Sequence, residues 1–126
     1  MALHIRTPLI ESSPLSARTG NRVLLKMENL QPAGSFKIRG IGLLCEQGKR
    51  DGMRHFVSSS GGNAGYAAAY AGRQLGIQTT VFVPETTPPD SRKKIENQGA
   101  EVRVAGSVWD EADEAARALS EEVNGL

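Results

Sequence analysis

Lys37 stands inside the run Gln31-Pro32-Ala33-Gly34-Ser35-Phe36-Lys37-Ile38-Arg39-Gly40, which reads as a turn passing into a helix. Pro32 and Gly34 are turn residues and Ser35 is a candidate helix cap. Residues 22–30, just before them, read as a strand. The first turn of a helix favours negative charge, so an ammonium there sits at the wrong end of the helix dipole. The position suits a lysine that works as a neutral amine. Such an amine condenses with a carbonyl to form a Schiff base, and pyridoxal phosphate is the commonest carbonyl cofactor held in this way. A solvated loop lysine fits the same spacing, so position alone leaves both readings open.

A second segment, Ser58-Ser59-Ser60-Gly61-Gly62-Asn63-Ala64-Gly65, follows the apolar pair Phe56 and Val57 and precedes an alanine-rich run over 66–74. Hydroxyls, glycines and an amide at a strand-to-helix turn gather donors at a helix N-terminus, an arrangement suited to an anionic group. Neither the G-x-x-x-x-G-K-[ST] spacing of a nucleotide P-loop nor a Gly-x-Gly-x-x-Gly dinucleotide pattern is present. The competing reading is a glycine-rich turn that only caps a helix.

The elements that must position these segments alternate. Strands are predicted over 23–28, 54–58, 78–83 and 101–104, and helices over 35–47, 62–75, 89–98 and 107–123. Thr7-Pro8-Leu9 and Ser13-Pro14-Leu15 read as extended lead-in segments, with a turn at Thr19-Gly20-Asn21-Arg22. Pro89 suits the first turn of a helix, and Gly76 and Gly99 lie just past helical runs. Val108, Ala112, Ala115, Ala116, Leu119 and Val123 recur with a helical period. Trp109, at the start of that helix, reads as a core or domain-interface anchor. Strands alternating with helices over short connections predict an α/β fold, an open parallel sheet with flanking helices and right-handed crossovers.

Taken together, the two segments resemble the fold type II pyridoxal-phosphate enzymes, and most closely the serine/threonine dehydratases. S-F-K-I-R-G, at Ser35 to Gly40, matches the dehydratase side of that superfamily, and S-x-G-N, at Ser60 to Asn63, is shared across it. Threonine deaminases and serine racemases usually place histidine after the asparagine. Asn63-Ala64-Gly65, with Gln31-Pro32 before the lysine motif, is similar instead to the liver-type serine dehydratases. The resemblance runs from about Ile5 to the last residue.

The resemblance implies the small domain of the tryptophan synthase β-like fold. It implies Lys37 as the Schiff-base lysine, Phe36 against one face of the pyridine ring, and Asn63 on the cofactor's 3′-hydroxyl. Ser60, Gly61, Asn63 and Ala64 would surround the substrate carboxylate. Many serine dehydratases have alanine where this chain has Gly61, a difference that bears on rate and substrate range. The implied activity is dehydration and deamination of L-serine, and of L-threonine, to pyruvate or 2-oxobutanoate and ammonia. Alternatives are an amino-acid racemase, a β-replacement synthase, or a non-catalytic fragment. Residues 1–30 would form a lead-in segment and first strand packed on a larger domain, and residues 31–126 the small domain carrying Lys37. The family's tetraglycine phosphate loop and its pyridine-nitrogen partner belong to a C-terminal part not among these residues. The 126-residue chain alone is therefore expected to be inactive. A homodimer is implied for the full-length protein.

Composition adds exclusions. Fifteen basic and fourteen acidic side chains leave a net charge of +1, with no electrostatic footprint for nucleic acid. Arg92-Lys93-Lys94 reads as a solvated helix face. Arg39 is expected to pair with a carboxylate or to lie against the second domain. The single cysteine, Cys45, cannot form an internal disulfide and falls in the apolar stripe Ile38, Ile41, Leu44, Cys45. His4 and His55 lack ligand-like spacing, so no metal site is expected. No stretch reaches the roughly 20 apolar residues of a membrane span, and no apolar signal-peptide core opens the chain. A cytoplasmic protein acting on a small-molecule amino acid is the expectation.

Overall fold

The computed structural model describes residues 2–126. Its first elements depart from the sequence reading. Strand β1 (Leu9–Glu11) pairs antiparallel with β2 (Leu24–Lys26) in a separate two-stranded sheet, with Ile10 opposite Leu25. Between them Ser13–Thr19 is a helix, α1, not an extended segment. The Ser12 hydroxyl accepts from the Leu15 N–H and Pro14 occupies the first turn, where a missing N–H costs nothing. The predicted strand over 23–28 is cut short by a single 3-10 turn at Glu28–Leu30. It contributes nothing to the parallel sheet.

Helix α2 (Lys37–Arg50) then leads into β3 (His55–Ser58), α3 (Asn63–Leu75), β4 (Gln78–Val83), α4 (Pro89–Glu96), β5 (Glu101–Val104) and α5 (Trp109–Val123). The three later strands are parallel in the order β3-β4-β5, as the alternation predicts. Leu126 extends this hydrogen bonding along the free edge of β3: its N–H donates to the His55 carbonyl and its carbonyl accepts from the Val57 N–H.

Alternate residues of β4 face opposite layers. Val81 and Val83 pack with Ala69, Ile95 and Ala100 beneath α3 and α4, whereas Phe82 packs with Ala112 and Ala116 of α5. The apolar half of β4, Val81 to Val83, is buried on both faces, as in parallel strands covered by helices on either side. Ile38, Cys45, Phe56, Ala67 and Ala71 join α2, α3 and β3. Burial pushes the Cys45 thiol up to about 11. Helix α2 runs on past residue 47 to Arg50, and Gly48 within it is a packing position: a Cβ there would lie 2.6 Å from a Leu126 methyl. Trp109 and Val108 are exposed rather than core. His55 is buried, with Nε2 2.8 Å from the Thr80 hydroxyl on the α5 side of the sheet. Desolvation lowers its pKa. No helix is long and apolar enough to cross a membrane.

Candidate functional site

The turn before Lys37 is closed by the Gly34 N–H donating to the Gln31 carbonyl at 2.7 Å, with Gly34 at φ +73°. The helix begins two residues later than predicted. Phe36 precedes it in helical conformation, and the Ser35 hydroxyl accepts weakly from the Lys37 N–H at 3.4 Å. Ile38, fully buried, anchors the first turn and leaves Lys37 and Phe36 facing outward. Lys37 Nζ lies 5.2 Å from the Phe36 ring centroid. It makes no hydrogen bond or ion pair among the described residues.

A polar clamp fixes this turn from behind. The Glu28 carboxylate accepts from Arg39 at 2.7 and 3.0 Å, from the Thr7 hydroxyl at 2.7 Å and from Gln31 Nε2 at 3.0 Å. Gln31, buried, also donates to the Ile5 carbonyl and accepts from the Ile5 N–H. Arg39 thus pairs with a carboxylate, the first of its two expected roles. Arg39 and then Thr7 hold the Glu28 carboxyl down at about 2. Because the folded value lies below the ordinary 4.5, this contribution to stability is complete above pH 4.5 and lost as pH falls through about 2. We expect Glu28→Gln to flatten the acid limb of a thermal-unfolding profile between those pH values. An unchanged limb would show that the clamp does not couple to folding.

The second segment forms the loop between β3 and α3. Ser59 is turned away, donating to Asp113 of α5 at 2.7 Å. The Ser60 hydroxyl oxygen accepts from the Gly62 N–H at 3.2 Å, which leaves its proton free to donate. No side chain caps α3, and the amides of Asn63, Ala64 and Gly65 have no acceptor among the described residues. Gly65 permits the loop to fold over the helix: a Cβ there would lie 1.7 Å from the Ser60 carbonyl oxygen. The expected anion-suited helix start is therefore present.

Asn63 is exposed and borders, with Gly34, Tyr66 and Lys94, an open depression of about 460 Å³. This depression joins the turn before Lys37 to the start of α3. Gly61 and Asn63 border a smaller hollow with Ser91 and Lys94. Lys37, Phe36 and Ser60 line neither, and Ala64 lines an apolar groove with Ile41, Leu44 and Leu126.

Three nearby residues lie outside the candidate site residues read from the sequence. Tyr66 follows Asn63 by three positions on the same helix face, and its hydroxyl accepts from Gln98 at 2.9 Å. Lys94 borders both hollows, and Thr87 is buried against Gly61. Arg92 also departs from the expected solvated face: its guanidinium donates to the Thr87 and Glu85 carbonyls. Among the described residues no group of three or more His, Cys, Asp or Glu is placed to hold a metal. The turn before α2 thus offers an unpaired amine and an exposed aromatic ring, suited to a carbonyl compound. The start of α3 offers three amides without an acceptor among the described residues, suited to an anion.

Known proteins are similar to this chain in sequence and in fold. The chain is 52% identical over 118 residues to human L-serine dehydratase/L-threonine deaminase, covering 94% of this chain and 36% of that protein. It is 53% identical over 117 residues to human serine dehydratase-like protein, covering 93% and 36%. Its fold superposes on a fungal L-serine ammonia-lyase from Rhizomucor miehei with a TM-score of 0.87 at 38% identity, covering 94% of this chain and 38% of that one. The chain therefore spans little more than a third of the length of these relatives. The family described as pyridoxal-phosphate dependent enzyme matches all of residues 1–126, and the chain belongs to it.

Proposed function

We propose that the chain is the lysine-bearing part of an enzyme that dehydrates and deaminates L-serine, and L-threonine, with pyridoxal phosphate. The observation that carries this reading is the unpaired amine of Lys37 on the first turn of α2, beside the Phe36 ring. The polar clamp that holds this turn and the uncapped start of α3, suited to an anion, support the same reading.

When bound, pyridoxal phosphate supplies a carbonyl that takes up amines and a ring that withdraws electrons from the substrate α-carbon. Lys37 would hold the carbonyl and, as a neutral amine, remove the α-proton. Phe36 would cover one ring face, and the Asn63 amide would bond the ring hydroxyl. The Ser60 hydroxyl would donate to the substrate carboxylate, with Gly61, Asn63 and Ala64 closing round it. The net change converts L-serine into pyruvate and ammonia with no external oxidant. The same reading carries a homodimeric full-length protein in the cytoplasm. In it β1 and β2, whose Leu9, Ile10, Leu24 and Leu25 are exposed, pack on a further part of the protein.

The test is product analysis of the full-length protein loaded with pyridoxal phosphate and given L-serine. Pyruvate and ammonia in equal amounts are expected. D-serine would indicate a racemase, and a substituted alanine formed with an added nucleophile would indicate a β-replacement synthase. Either would displace the dehydratase reading.

A further inference from the structure

Gly61 and Thr87 lie 26 positions apart in sequence yet occupy one steric site. A Cβ on Gly61 would lie 2.6 Å from the Thr87 methyl, 3.0 Å from its hydroxyl oxygen and 3.3 Å from a Val83 methyl. Thr87 is only 9% exposed. Both residues sit just beyond the C-terminal ends of neighbouring parallel strands, β3 and β4, the end of such a sheet where ligands bind.

Thr87 has little freedom to retreat. Its N–H donates to the Pro84 carbonyl at 3.0 Å, and its carbonyl accepts from Arg92 Nε at 3.0 Å. A second Arg92 nitrogen holds the Glu85 carbonyl, and Pro88 follows with its ring-fixed backbone. A β-branched side chain has few χ1 alternatives. The 61 side of the contact is softer, because Gly61 and Gly62 adjoin each other in a loop without a helix or strand ladder. Bulk added at 61 therefore displaces the Ser60–Gly61 backbone, not Thr87.

We propose that Thr87 is a positioning residue for the substrate-carboxylate loop and, with Gly61, sets the enzyme's discrimination between L-serine and L-threonine. The inference rests on the dehydratase reading, because Ser60 and Gly61 are the groups assigned there to the carboxylate. Thr87 acts through the loop: its side chain fixes how closely Ser60 approaches, and its own contact with substrate is not required. Thr87→Ser removes the methyl responsible for the shortest contact and leaves the oxygen at a distance that a small rotation relieves.

The experiment compares the full-length, cofactor-loaded wild type with Gly61→Ala, Thr87→Ser and the double variant on both amino acids. Gly61→Ala is expected to change kcat/KM for L-serine by at least about tenfold, the range for one methyl in a specific pocket. In the Thr87→Ser background the same substitution is expected to change it by less than about threefold, the signature of coupled neighbours. The serine-to-threonine ratio should follow the same pattern, while cofactor affinity stays constant across the set. Equal fold-changes in both backgrounds, or a parallel loss of cofactor affinity, would overturn the proposal. If the wild type turns over neither amino acid, the dehydratase reading fails and the specificity role with it. The steric coupling is then read from Tm: Gly61→Ala should lower it less in the Thr87→Ser background, and equal falls would remove the coupling too.

Discussion

Lys37→Ala in the full-length protein is expected to lower kcat on L-serine by roughly 10⁴-fold or more, the scale of losing a catalytic base that is also the covalent anchor. Stability should hardly change. Lys37 is exposed, and alanine is the best helix former. Among the described residues the only side-chain interaction lost is the exposed contact with the Phe36 ring, worth at most about 1 kcal/mol. Two of the other lysines are engaged, Lys26 Nζ donating to the Thr7 carbonyl and Lys49 Nζ to the Leu75 carbonyl, each at 2.7 Å, while Lys93 and Lys94 lie on α4, away from the family motif that carries Lys37. Borohydride treatment of the cofactor-loaded wild type, followed by peptide mapping, should therefore find the label on Lys37. Label on Lys26 or Lys49, or full activity in the variant, would remove Lys37 from its assigned role.

Gly65→Ala should be the most damaging single methyl in the described residues for the loop at Ser60. The added Cβ would lie 1.7 Å from the Ser60 carbonyl oxygen, a backbone atom, and 3.1 Å from a Val81 methyl under the sheet. No rotamer relieves a clash with main chain. Either α3 lifts from the sheet, exposing Ala67, Ala68 and Ala71, or the loop at Ser60 is rebuilt. We expect a loss of about 3 kcal/mol in denaturant unfolding, the upper range for overpacking a close contact. Turnover should fall with it, because the placement of Ser60 relative to the start of α3 changes in either case. Gly62→Ala is the control for stability: its nearest contact would be the Ser60 hydroxyl oxygen at 3.8 Å, ordinary van der Waals distance. A Gly65 variant as stable as the Gly62 one would show that the loop has slack the structure does not display.

What the sequence determined by itself was whatever depends on neighbours along the chain. The turn at Pro32 and Gly34, the helix after it and the glycine-rich start of α3 follow from local backbone preferences. The three parallel strands followed from apolar runs bounded by turn residues. The occurrence of two family motifs in one chain, one carrying Lys37 and the other Asn63, made the cofactor chemistry readable before any geometry was known. The misreadings have local causes too. Ser13-Pro14-Leu15 looked extended because a residue before proline disfavours helix, yet Ser12 caps α1 and proline fits its first turn. The helix predicted over 35–47 continues to Arg50, and Gly48 within it is a point of close approach to Leu126.

Tertiary structure decided the contacts between segments remote in sequence. It paired β2 with β1 instead of with the parallel sheet, because an antiparallel neighbour was available across α1. It turned Arg92 from an expected solvated residue into the brace of the β4–α4 loop, and it gathered Thr7, Glu28, Gln31 and Arg39 into the clamp behind Lys37. Above all it set Thr87 against Gly61. Residue type and spacing encode torsional preference and apolar period, which act over a few residues. Which atoms fill the space beyond a glycine's missing side chain depends on how whole strands and helices stack, and that is settled only when the chain has folded.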